Sequence, residues 1–324
     1  MHFRRLPKWV GILCRYTFGA LLIYWLLTSN ILDLNEIVAI DKSLIMMGGF
    51  LVFVQLCLSS LRVKIVLHGQ GVCVRFLDCM LFNSIGVFYS IFLPGGISGD
   101  IGRAYFFWRK YPDTSKTSLA AALFLDRFIG LAGLISTGVI AALLLFDISK
   151  TLAYYMVGIL IIGIMVAVSC FYLYQKLKII VAKKNSRVNR VIELFEKFIF
   201  KMNIRNYSFN SILIIFSTSL AIHFISVVII YEISLTVISG LSFLQISAVT
   251  PIGLLVNALP ISPGGLGVGE KSFDMLFDLM NGDNGGNTFF LARLIFLLPA
   301  FFGGALVLKS VVINRFKRTD PINI

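Results

Sequence analysis

An all-α, polytopic membrane protein is the class this sequence predicts, and three observations carry it. Of the 324 residues, 58% are hydrophobic and 14% charged, with a mean hydropathy of +0.89. A water-soluble chain holds about 45–50% apolar and about 25% charged residues. The apolar residues lie in charge-free runs: Tyr16–Leu32, Ser43–Leu61, Cys79–Gly99, Phe128–Phe146, Thr151–Gln175, Asn206–Tyr231 and Ile233–Gly269. Each is close to or above the roughly 20 residues that cross a hydrocarbon core as a helix. The third observation is the charge, +13 overall, concentrated between the runs. The composition excludes a soluble enzyme, a disordered chain, a collagen-like chain and a disulfide scaffold. In this setting the basic residues are topology signals and not a nucleic-acid surface.

Six stretches read as full spans, at about 10–30, 44–61, 118–146, 151–175, 207–231 and 288–309. The first is followed by Asp33 and Leu34 without a small-residue cleavage site, so it reads as a retained span. Two further stretches, 76–111 and 242–280, do not fit one helix. The first is interrupted at Leu93-Pro94-Gly95-Gly96 and the second at Leu259-Pro260-Ile261-Ser262-Pro263-Gly264-Gly265. Proline removes a backbone donor and glycine loosens a helix, so each stretch is expected to be two part-helices in a re-entrant hairpin. The whole of 1–324 reads as a single integral membrane domain. Within it, 176–206 is a basic cytoplasmic segment. From Val188 onward it alternates an apolar and a basic face at helical period, as an interfacial helix on an anionic leaflet does.

Charge distribution sets the orientation. With the N-terminus inside and both hairpins returning to their side of entry, 23 of the 29 Lys and Arg residues fall on the cytoplasmic side. Only Lys42 and Lys150 fall outside, while Arg103, Arg127, Lys271 and Arg293 fall within apolar stretches. Both termini are then cytoplasmic, in a cell inner membrane. Two full crossings in place of each hairpin would leave the loops on the same sides, so charge does not distinguish these. The scheme inverts the two hairpins relative to each other. An offset of 166 residues lays Leu93-Pro94 on Leu259-Pro260 and Leu125-Asp126-Arg127 on Leu291-Ala292-Arg293. That pattern is expected of an inverted-repeat transporter.

The chemistry-bearing residues cluster at the two interruptions. After the first, Gly95, Gly96 and Gly99 lead into a helix beginning near Ser98, with Asp100 and Arg103 three residues apart on one face. A helix N-terminus with an arginine fork nearby suits a phosphate. A glycine-rich helix crossing with an internal Asp100–Arg103 bridge is the structural alternative. The segment is not a nucleotide-binding P-loop, because no Gly-Lys-Ser/Thr follows. After the second interruption, Gly264, Gly265 and Gly267 lead to Glu270, Asp274 and Asp278, an acidic stripe at i, i+4 and i+8. The stripe could line a wet cavity, with Asp274 and Asp278 placed at the outer interface. Asp126 and Arg127 are adjacent, so on a helix they point about 100° apart and each needs a partner elsewhere. Arg127 with Glu270 or Asp100, and Arg293 with the second hairpin, are the candidate pairs. Charges at this depth are functional by default, although a structural bridge between helices fits the same residues.

The remaining signals are weaker. His223 stands alone among apolar residues and reads as a hydrogen-bonded interhelical side chain. Trp9, Trp25 and Trp108 suit interfacial belts. The five cysteines show no metal spacing, and neither a nucleophile elbow nor a His-Glu-x-x-His motif occurs. No catalytic residue, metal site or cofactor is expected, and nucleic acid is not a partner.

Three segments in this order resemble the lysylphosphatidylglycerol synthase transmembrane-region family, also called flippase-like. They are Phe92-Leu93-Pro94-Gly95-Gly96-Ile97-Ser98-Gly99-Asp100-Ile101-Gly102-Arg103-Ala104, Leu125-Asp126-Arg127-Phe128-Ile129-Gly130, and Leu259-Pro260-Ile261-Ser262-Pro263-Gly264-Gly265-Leu266-Gly267-Val268-Gly269-Glu270. The resemblance implies a membrane domain that moves a phospholipid across the bilayer, an aminoacylated one in bifunctional members. In those members a separate C-terminal cytosolic domain makes the lipid. With the sequence ending at Ile324, aminoacyl transfer is not expected here.

The expectation is therefore a translocase without enzymatic activity of its own. Its substrate would be an anionic phospholipid or a lipid-linked phosphate. Substrate contacts are expected at Gly95, Gly96, Gly99, Asp100, Arg103, Asp126, Arg127, Gly264, Gly265, Gly267, Glu270 and Arg293. With no ATP-binding motif, movement would be downhill or coupled to an ion gradient. The alternative is a non-transporting membrane subunit that supports a separate lipid-modifying enzyme or glycosyltransferase. The sequence does not define the oligomeric state.

Overall fold

The computed structural model describes residues 41–92, 98–144, 206–259 and 261–319, with Thr17, Tyr24, Thr28 and Gly158. The spans expected at 10–30 and 151–175 and the basic segment from 176 to 205 lie outside the described residues. So do the Leu93–Gly96 interruption, Pro260, Trp9 and Trp25.

Every described element is helical, and none of the described residues forms a strand. Numbered over these residues, the helices are α1 (Lys42–Gly69), α2 (Phe76–Phe92), α3 (Ser98–Lys110), α4 (Lys116–Leu144) and α5 (Phe209–Thr236). They continue as α6 (Phe243–Asn257), α7 (Val268–Leu279), α8 (Gly285–Phe296) and α9 (Leu298–Thr319). Side chains close three of the described helix starts. Asp41 accepts from the Ser43 amide, Ser208 from Ser211, and Ser242 forms a capping box with Gln245.

Helices α1, α4 and α5 and the α8–α9 stretch Gly285–Leu308 are long and apolar enough to cross a bilayer. They carry apolar residues all round and not in one stripe, the pattern of helices that meet lipid on one side and protein on the other. Met46 and Phe50 on α1, Phe128 and Leu143 on α4, Phe209 and Leu213 on α5, and Phe301 and Leu308 on α9 are exposed. In water such surfaces would aggregate; in a bilayer they are solvated.

The expected span at 288–309 is instead two helices. The ladder is interrupted at Leu297, where Pro299 provides no amide, and Ala300 bonds back only three residues to Leu297. The span expected at 44–61 runs on to Gly69, which carries Arg62 into a buried helix position. Arg62 therefore leaves the tally of cytoplasmic loop charges, and the bias remains strong without it.

Both interrupted stretches fold into hairpins of short helices. The arms of the first hold 17 and 13 residues, those of the second 15 and 12. In the first, α3 lies so close on α2 that a Cβ at Gly99 would stand 2.6 Å from the Gly86 carbonyl oxygen. The turn of the second needs Gly264, Gly265 and Gly267 at φ of 59°, 73° and 79°, a region closed to side chains with a Cβ unless strained.

The order helix, hairpin, helix occurs twice, as α1 to α4 and as α5 to α8. The neighbours repeat with it. Helix α1 packs on α2 and α4 as α5 packs on α6 and α8; α1 and α5 pack on each other; α4 meets α5 as α8 meets α1. Each unit has its own core. Val66, Leu67, Phe82, Ile85, Phe107 and Leu123 fill the first, and Ile230, Ile246, Val249, Phe273, Phe277 and Phe289 the second. The Phe273 and Phe289 rings stack at 4.2 Å. The units differ in their outer contacts: α9 covers α2, and α6 lies on α4.

Candidate functional site

Between the two hairpins lies a half-open cavity of ≈ 720 Å³. Helices α1 to α6, the Ser262–Gly265 turn, Phe296 and Pro299 contribute to its lining. Part of the wall is apolar, with Val52, Leu131, Leu134, Leu254 and Leu255, and part is densely charged, with Arg62, Asp100, Arg103, Asp126 and Arg127.

The charged wall is one connected network. Asp126, 4% exposed, lies between two guanidinium groups: Arg62 donates from Nε to Oδ1 at 2.8 Å, and Arg103 from Nη1 to Oδ2 at 3.4 Å. Arg103 also donates from Nη1 to Asn83 Oδ1 at 2.9 Å and from Nη2 to Asp100 Oδ1 at 3.1 Å. Arg127 donates its Nε to both Asp100 oxygens at 3.1 and 3.0 Å. Arg62 reaches further, to Ser219 Oγ at 3.0 Å. Buried charges cost several kcal/mol each unless paired and hydrogen-bonded, and here each carboxylate is shared by two arginines. Arg103 remains under-satisfied: its Nε is buried and meets no hydrogen-bond partner among the described residues. Arg127 differs in exposure, with 61% of its side chain open.

The expected site residues separate into four groups. Asp100, Arg103, Asp126 and Arg127 line the cavity, and so do Gly264 and Gly265. Gly99 packs α3 onto α2 and does not face the cavity. Gly95 and Gly96 lie outside the described residues. Gly267, Glu270 and Arg293 form a second, closed network behind the second hairpin. Glu270 is 0% exposed and accepts from Gly267 N at 2.7 Å, Arg293 Nε at 2.5 Å and Arg293 Nη2 at 3.1 Å. Arg293 also donates to the Gly264 and Gly265 carbonyls at 2.6 and 3.1 Å and to Asn257 Oδ1 at 3.0 Å. This arginine fastens the hairpin turn from behind, so that Gly264 and Gly265 present their other side to the cavity. In the rest of the acidic stripe, Asp274 pairs with Lys271 at 2.9 Å and Asp278 is exposed. None of the three stripe carboxylates lines the cavity.

Of the candidate pairs, Arg127 takes Asp100 and Arg293 takes Glu270. In both units, then, an arginine on the helix after the hairpin holds a carboxylate on the hairpin's second arm. His223 donates from Nε2 to the Gly130 carbonyl at 2.9 Å, an interhelical bond as expected, and it also lines the cavity.

Sequence reasoning missed Arg62, Asn83 and Asn257. A signal for Arg62 was present. Gln55, Ser59 and Arg62 recur at i, i+4 and i+7 along an otherwise apolar helix, and all three line the cavity. Asn83 and Asn257 are lone amides inside apolar runs, each found here bonded to an arginine.

A family model described as the lysylphosphatidylglycerol synthase TM region matches residues 12–306. Among curated proteins no match to the sequence is found. With a match over nearly the whole chain, a fold made only of helices among the described residues, and the three motifs converging on two hairpins and one arginine-rich cavity, the chain belongs to the lysylphosphatidylglycerol synthase TM region family.

Proposed function

We propose that this protein moves the head group of a phospholipid or lipid-linked phosphate across the bilayer, performing no chemical step of its own. The observation that carries the reading is the cavity between the hairpins, charged on one wall and apolar on another. A polar head group crossing a dry core needs partners throughout, while acyl tails remain at ease in lipid. Arg103 and Arg127 supply the donors for a phosphate, and the apolar wall faces the first carbons of the tails. The hairpin arms support a re-entrant placement, since all four are shorter than the roughly 20 residues of a typical crossing.

The test is reconstitution of the purified chain into liposomes holding a tail-labelled phospholipid, with a membrane-impermeant quencher outside. Protein-dependent quenching of the inner-leaflet pool is the expected result, with the lipid recovered unchanged in mass. Quenching no faster than in protein-free liposomes would reject transport, and a changed lipid mass would reject the absence of chemistry.

The orientation belongs to the same proposal: an inner-membrane protein with both termini cytoplasmic. Cysteines placed at Lys42 and Lys150 in a background without native cysteines are expected to react with an impermeant maleimide in intact cells. Cysteines at Lys183 and Arg315 are expected to react only after permeabilisation. Labelling of position 183 from outside would overturn the scheme.

A further inference from the structure

Far from the cavity, the turn that closes α5 carries a strained, exposed isoleucine. We infer that Ile238 is a lipid anchor: its side chain lodges in the bilayer interface at the far end of α5 and sets the depth of the second hairpin there.

Among the described residues three non-glycine residues take a positive φ, Ile238 at 53°, Asn281 at 58° and Asn284 at 59°. All three lie where the end of α5 meets the loop between α7 and α8. Asparagine enters this region readily, whereas a β-branched side chain crowds its own backbone there. Ile238 stands just past the C-cap Val237, the position that glycine usually fills when a helix closes this way. The closure is complete, with Ile238 N on the Leu235 carbonyl at 3.4 Å and Ser239 N on the Ser234 carbonyl at 2.9 Å. Both flanks are held as well. Asn284 Nδ2 donates to the Val237 carbonyl at 2.7 Å and Asp283 N to the Ser239 carbonyl at 3.0 Å. Val237, Ser239 and Leu241 are buried, yet Ile238 between them is 82% exposed. With its side chain this open, packing among the described residues does not offset the strain.

A lipid contact does. Helix α5 exposes apolar side chains along its length, at Phe209, Leu213, Phe224 and Leu235, and Ile238 follows three residues after the last of them. The helix has 28 residues, which span about 42 Å against about 30 Å of hydrocarbon. Its end therefore reaches the glycerol and head-group level, where an apolar side chain gains by dipping toward the acyl chains. The bonds from Asp283 and Asn284 tie this turn to the loop after α7, so the depth of Ile238 is passed to the hairpin's second arm.

The full chain in liposomes, in a background without native cysteines, tests this. A bimane label at Ile238→Cys is expected to be quenched more by lipid carrying a nitroxide at acyl carbon 5 than at carbon 12. Aqueous iodide is expected to quench it several-fold less than a label at Asp283→Cys, an exposed position of the adjoining loop. Iodide quenching as strong at 238 as at 283 would overturn the lipid contact. Protection from iodide and both nitroxides would place protein over Ile238 and overturn it equally. The anchoring role is read at a label on Leu279→Cys, at the end of α7. Ile238→Asp keeps a residue that tolerates this φ, so it is expected to fold while leaving the interface. The label at 279 should then lose quenching by the shallow nitroxide and gain it from iodide. Unchanged quenching at 279 would overturn the depth-setting role.

Discussion

Arg103→Ala is expected to stop lipid movement while the protein still inserts, folds and melts close to the wild type. The network makes this separation of effects available. Removing Arg103 leaves Asp126 with Arg62 at 2.8 Å and Asp100 with Arg127 at 3.0 Å, so no buried carboxylate is stranded. What is lost is a cavity-lining guanidinium that spans two hairpin arms and α4. Loss of a charged hydrogen bond costs about 1.5–3 kcal/mol, roughly ten- to a hundred-fold in affinity. Arg103→Lys should restore part of the activity, because it keeps the charge but not the planar fork that holds Asn83, Asp100 and Asp126 together. The contrasting view makes Arg103 a purely structural bridge to Asp100. The double change Arg103→Ala with Asp100→Ala separates the two. Near-normal translocation in the double variant would decide against a substrate role, and a stable but inactive double variant would support it.

The largest stability effect is expected at Arg293. Arg293→Ala strands Glu270, fully buried and otherwise held only by the Gly267 amide, and it also frees the Gly264 and Gly265 carbonyls and Asn257 Oδ1. Breaking one side of a buried ion pair costs about 3–5 kcal/mol. Thermal unfolding of the detergent-solubilised protein measures it. Arg293→Met with Glu270→Leu removes both charges and should recover much of the lost stability. The turn would still lack its fastening, so transport should not recover with it. A double variant as unstable as the single one would show that the pairing of Glu270 is not what Arg293 supplies. The two arginines thus have opposite signatures: Arg103 is expected to affect movement without stability, Arg293 stability first and movement through it.

The all-helical membrane class, the two interruptions and the residue types that gather there were determined by the sequence alone. Those properties are local. Apolar run length answers to bilayer thickness, and Pro and Gly act on the backbone where they stand, as Gly264, Gly265 and Gly267 do at positive φ. The i, i+3 pair Asp100–Arg103 is local in the same sense. Which carboxylate each arginine takes was decided only by the tertiary structure. Arg62 and Asp126 are 64 residues apart, and Arg293 and Glu270 are 23 apart. The burial of Arg62 likewise follows from how α1 lies on α4, where Asp126 accepts from it. The same holds for the roles of Gly99 and Glu270. As residue types they suit a phosphate and a wet cavity, yet packing places one against the Gly86 carbonyl and closes the other behind Arg293. A buried charge in a low-dielectric interior must find its partner in three dimensions, and sequence neighbours seldom lie on the facing side of the helix that supplies it.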